Sequence, residues 1–98
     1  MTRYRPAIGV LTLEIHIEDS HSLKDKRHVV KSLKDRLRDR FNVAVAEIDF
    51  LDSWQSSVVA AVTVSNDRVR AEQILQAVEA HAANLLGGAL TTSSVEWL

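Results

Sequence analysis

From Ile8 to Ile17 the chain reads IGVLTLEIHI, with Leu11, Leu13, Ile15 and Ile17 on one face of a strand and Val10, Thr12, Glu14 and His16 on the other. A polar stretch from Glu18 to His21 closes this strand. Ser22, followed three residues later by Asp25, marks a helix start: the hydroxyl accepts from a free backbone N–H, and the acid is favoured at the positive end of the helix. Val29, Val30, Leu33, Leu37 and Phe41 then recur at helical spacing, the pattern of a helix packed on a sheet. After Arg40 the period changes to two. VAVAEIDF (43–50) and SVVAAVTV (57–64) read as two strands joined as a hairpin through a polar turn at Asp52 and Ser53. Asn66 or Asp67 caps a second helix with Ala71, Ile74, Leu75, Val78, Ala82 and Leu85 inward, and Gly87-Gly88 stops it. Residues 89–98 form a last strand.

The order βαββαβ predicts an α+β ferredoxin-like plait, a four-stranded antiparallel sheet with two helices on one face. Right-handed crossovers place the first and third strands in the centre. The chain has 98 residues, one proline and no linker-like stretch, so residues 1–98 are expected to be a single domain. Because Val10, Val43, Val45 and Val59 alternate with the residues assigned to the helix-covered core, some of them are expected on the open face of the sheet. An apolar open face predicts a homodimer.

Charge changes the picture at one place. The pentapeptides Ser22-Leu23-Lys24-Asp25-Lys26 and Ser32-Leu33-Lys34-Asp35-Arg36 nearly repeat each other ten residues apart. At 100° per residue the copies lie about 80° apart round a helix, so they cannot make the same contacts. The first is a start signal and the second is helix interior. Residues 24–40 carry eight of the twelve Lys and Arg residues against three of the thirteen acids; the segment is net +5 and the remainder −6. Lys24, Arg27, Lys31, Lys34 and Arg38 fall within about 80° on the helical wheel and form one basic ridge about 21 Å long, enough to follow several phosphates of a nucleic-acid strand. The same charges also suit a solvated face in which Asp35 and Asp39 pair locally.

Other candidates are thinner. Ser20, His21 and Ser22 lie at a helix start where an anion is favoured, and plain capping by Ser22 explains the same residues. Glu14, His16, Glu47 and Asp49 are carboxylate and imidazole groups on two strands that the topology does not make neighbours, so no metal site is expected. Trp54 and Trp97 could stack bases or close a core or subunit interface. There is no cysteine, which removes thiolate zinc sites, iron–sulfur clusters and thiol nucleophiles. No catalytic constellation, phosphate loop or cofactor motif is present, and the expectation is a protein that is not an enzyme and carries no cofactor. No apolar run reaches the ~20 residues of a membrane helix, and alternation at Thr12, Glu14 and His16 breaks any signal-peptide core, which points to a cytoplasmic location without membrane contact.

The stretches SHSLKDKR, RFNVAVAE and the segment from DSWQ to VSND, within residues 7 to about 86, resemble the bacterial domain-of-unknown-function family 503, the YlxP-like proteins. The resemblance implies a ferredoxin-like fold and a gene setting among those for translation initiation and ribosome maturation, with no biochemical activity and no site residues attached. Together with the ridge, it leads to the expectation of an accessory protein that binds ribosomal RNA or a ribosomal subunit. A regulatory module with an anion pocket and a purely structural dimer are the alternatives.

Overall fold

The computed structural model describes residues 4–98. Its elements are β1 (Ala7–His16), α1 (Leu23–Arg40), β2 (Ala44–Asp49), β3 (Ser56–Ser65), α2 (Arg68–Leu86) and β4 (Leu90–Trp97), with a short 3-10 turn at Gly87–Ala89. The strands form one antiparallel sheet in the order β2-β3-β1-β4. This is the ferredoxin-like plait with β1 and β3 central, as two right-handed crossovers require.

Register decides which residues the helices cover, because directly paired residues share a face. Leu11 pairs with Ala61, Leu13 with Val59 and Ile15 with Ser57, and all six are buried. They pack with Val45 of β2, with Val30, Leu33 and Leu37 of α1, and with Leu75, Val78 and Ala82 of α2. Val43, Val45 and Val59 therefore belong to the helix side, and of the four valines proposed for the open face only Val10 lies there. The pairings Val10↔Val62, Thr12↔Ala60, Ala44↔Val62 and Ala46↔Ala60 give the open face its actual composition. The strand periods were right; which parity faces the helices on β2 and β3 was set by pairing.

Both helices start as their sequences direct. The Asp25 N–H donates to Ser22 Oγ at 3.0 Å, and Asp25 Oδ2 accepts from the His21 N–H at 3.2 Å. Asp67, rather than Asn66, caps α2 by accepting from the Val69 N–H at 3.1 Å. Gly87 ends it at φ +55°, a conformation that costs a residue without Cβ little. Leu33 of the second pentapeptide is buried and Leu23 of the first only half-buried, in line with their different depths on the wheel. Leu85, expected inward, is exposed.

Candidate nucleic-acid interface

The ridge on α1 borders the edge of the sheet. Arg38 Nη2 donates to the Val45 carbonyl at 3.1 Å, and at the other end of the helix Lys26 reaches Glu47 and the loop after β2, so α1 and β2 run side by side in opposite directions. β2 is an edge strand, and among the described residues no further strand covers its outer side. Between helix and edge lies a groove of about 400 Å³ lined by Arg27, Lys31, Lys34, Arg38, Asp35, Val30 and Glu47. Four of the five ridge residues thus share one concavity. Lys24, exposed, is one turn beyond them.

Within the groove the charges are unequally committed. Lys31 Nζ donates to Asp35 Oδ2 at 2.7 Å, and Arg38 Nη1 lies 3.5 Å from Asp35 Oδ1. The hydrogen bond from Lys31, aided by the charges of Lys31, Arg38 and Lys34, holds the Asp35 carboxyl below the usual carboxylate range. Local pairing of Asp35 therefore exists beside the ridge, at a solvent-accessible surface where such pairs contribute little. Lys24, Arg27 and Lys34 have no ion-pair partner among the described residues.

One residue of the basic segment has a different place altogether. Lys26 is 0% exposed and sits in line with Val30, Leu33 and Leu37 on the inward stripe. Its ammonium donates to Glu47 Oε2 at 2.9 Å and to the carbonyls of Phe50 (2.7 Å), Ser56 (3.2 Å) and Leu51 (3.3 Å). Glu47 Oε2 also accepts from Ser57 Oγ at 2.6 Å. A buried ammonium is tolerated because acceptors surround it. The spacing of 4, 7 and 11 residues to Val30, Leu33 and Leu37 was the available signal, masked by the assumption that lysine faces water. Glu47 accordingly points to the helix side, away from the open face on which Glu14 and His16 lie, and the four acid and imidazole groups considered together do not converge.

The loop before α1 is already occupied by its own chain. Ser20, buried, donates through Oγ to the Ser22 carbonyl at 3.3 Å, Ser22 Oγ serves Asp25, and the Asp25 carboxylate stands at the helix start beside His21. The two tryptophans divide. Trp97 is half-buried against Gly9, with the Arg68 guanidinium 4.0 Å from its ring centroid, whereas Trp54 is 59% exposed at the β2–β3 connection. On the open face of the sheet, Val10, Ala60 and Val62 are half-buried and Val64 exposed, with Glu14 and Glu96 at its margins.

Comparison with known proteins bears on lineage and on fold. Residues 8–94 match the family described as "Protein of unknown function (DUF503)". The chain belongs to this family. A DUF503 relative, "Uncharacterized protein YlxP" of Bacillus subtilis (strain 168), is 37% identical over 90 residues, an alignment spanning 92% of this chain and 98% of that one. Among solved structures, the de novo designed protein Foldit4 is similar with a TM-score of 0.59 at 12% identity, covering 96% of this chain and 97% of its own, a likeness of fold alone. SnoaB, a cofactor-independent oxygenase from Streptomyces nogalater, covers 95% of this chain and 90% of its own at 18% identity; its TM-score of 0.48 supports no argument about chemistry. Among the described residues of this DUF503 chain, no helix is long and apolar enough to cross a membrane.

Proposed function

We propose that this DUF503 protein is a non-enzymatic, cytoplasmic accessory protein that binds RNA, with ribosomal RNA or a ribosomal subunit as its partner. The observation that supports this reading is the groove between α1 and the edge of β2, where Arg27, Lys31, Lys34 and Arg38 converge and Lys24 extends the line. A cationic furrow of this kind contacts phosphates and is largely indifferent to base identity. The three cations without an ion-pair partner give an expected slope of log K against log salt of about −2 on single-stranded RNA, rising to about −3.5 if all five engage phosphates. Replacing Lys31 and Lys34 with Glu should weaken binding and flatten the slope, while the same reversal at Arg68 and Arg70, on α2, should matter less. Wild-type affinity and salt dependence in a folded Lys31→Glu/Lys34→Glu protein would reject the proposal.

A second reading, compatible with the first, is a homodimer through the open face of the sheet. Four strands at about 4.8 Å spacing and nine residues at about 3.4 Å make a face of roughly 19 by 30 Å. That outline of about 570 Å², before side-chain relief is added, is of the same order as the ~800 Å² per partner of a standard interface. Its middle is Val10, Ala60, Val62, Ala44 and Ala46, none of them charged. Sedimentation at micromolar concentration should give twice the 10.9 kDa chain mass, and Val62→Lys should return it to the monomer. A monomeric wild-type protein would dismiss the dimer and leave the ridge untouched.

A further inference from the structure

The end of β2 and its connection to β3 expose Ile48 (56%), Phe50 (52%), Leu51 (55%) and Trp54 (59%), four large apolar side chains within seven residues. The backbone beneath them is tied down. The Phe50 carbonyl accepts from Lys26 Nζ and, at 3.0 Å, from the Ser53 N–H. Asp49 Oδ1 accepts from the Phe50 N–H at 2.7 Å, and Ser53 Oγ accepts from the N–H groups of Ser56 (2.9 Å) and Gln55 (3.3 Å). Gln55 in turn accepts from the Ile17 N–H at 2.8 Å and donates through Nε2 to the Glu18 carbonyl at 3.0 Å. Phe50 itself stands at φ +59°, a left-handed conformation that a bulky residue holds only where its surroundings over-determine it. A strained backbone and a buried ammonium together fix a segment whose rings face water. Neither ring stacks on another ring or a guanidinium among the described residues.

The place of this loop gives it a partner chemistry. Lys26, which grips the carbonyls of Phe50 and Leu51, sits in the first turns of α1 between the ridge residues Lys24 and Arg27, so the loop stands at the N-terminal end of the ridge. We propose that Phe50 and Trp54 form a stacking platform for unpaired bases of an RNA strand whose phosphates follow Arg27, Lys31, Lys34 and Arg38. This deepens the RNA reading above and rests on it. A cationic groove continued by exposed, preorganised aromatic rings matches a single strand, whose backbone is anionic and whose base faces are free; a duplex keeps those faces inside its stack. Because every base has a π face, the platform selects strandedness rather than sequence.

The test measures binding of a labelled 12-nucleotide single-stranded RNA, of the same RNA as a duplex, and of inorganic polyphosphate, each across a salt series. The wild-type protein should prefer the single strand. Trp54→Ala and Phe50→Asn should each lose between about five- and about 150-fold for the single strand while keeping the salt slope and the polyphosphate affinity. Asn tolerates the left-handed backbone at position 50, circular dichroism checks the fold, and Trp54→Phe should restore binding. Unchanged single-strand affinity in both variants, with the salt slope intact, overturns the platform, assigns the apolar loop to a protein contact and leaves the ridge standing. Equal affinity of the wild type for single strand and duplex also overturns it. No binding of RNA or polyphosphate at all overturns the platform and the ridge together.

Discussion

The ammonium of Lys26 lies 2.9 Å from Glu47 Oε2 with its side chain fully buried, joining the first turns of α1 to the end of an edge strand. The pair anchors the loop that follows, because the same ammonium takes three backbone carbonyls of residues 50–56. Removing the ammonium leaves the Glu47 carboxylate without its countercharge, held only by Ser57 Oγ, so Lys26→Ala should cost about 3–5 kcal/mol in urea unfolding. Lys26→Met with Glu47→Gln removes both charges and should recover only part of that loss, since the Phe50, Leu51 and Ser56 carbonyls still lose the ammonium as a donor. Full recovery would show that the carbonyl contacts contribute nothing.

Asp35 pairs with two of the five ridge cations, Lys31 and Arg38. With its carboxyl held below the usual range, the contribution of the Lys31 and Arg38 pairings to stability is present above the unfolded carboxylate pKa of about 3.9 and is lost as pH falls through the lower folded value. Asp35→Asn releases both cations at neutral pH. RNA affinity should rise roughly three- to tenfold at low salt and the salt slope should steepen from about −2 toward −3.5. A slope that stays put would mean that Lys31 and Arg38 contact no phosphate.

Gly9 is a packing glycine. A Cβ built there would stand 2.6 Å from Leu75 Cδ1 and 2.8 Å from Trp97 Cζ3, closer than real contacts allow. Leu75 is buried in the core and the Trp97 ring is held against Arg68, so neither can swing aside freely. Gly9→Ala should therefore lose about 1–3 kcal/mol by overpacking, read from the urea midpoint. Gly88, with open space round it, should accept Ala with little change.

The two near-identical pentapeptides should respond differently to mutation. Leu33→Ala is expected to cost about 2–5 kcal/mol because Leu33 is buried between α1 and the sheet, while Leu23→Ala, half-buried, should cost clearly less. Ser22→Ala should lose about 1 kcal/mol as the Asp25 N–H loses its cap; Ser32→Ala, in mid-helix, should change stability by less than about 1 kcal/mol. Equal losses at Leu23 and Leu33 would contradict the buried position of Leu33.

Local pattern alone determined the element order, the Ser22 cap, the inward stripe of α1 and the angular grouping of Lys24, Arg27, Lys31, Lys34 and Arg38, because periodicity and capping act within a few residues. Chain pairing decided the rest. A strand pattern states that two faces differ without stating which one the helices cover, so Val45 and Val59 were placed only by register, through Ala61 and Leu13, and Val43 by its packing against the core. Lys26 looked like one more solvated cation until Glu47 and three carbonyls, 21 to 30 residues away in sequence, were brought round its ammonium. The groove beside the ridge likewise exists only because β2 forms the sheet edge next to α1, and the loop that carries Phe50 and Trp54 is held by that buried lysine at the Phe50, Leu51 and Ser56 carbonyls. Such placements depend on contacts between residues far apart in the chain, and no local sequence window contains them.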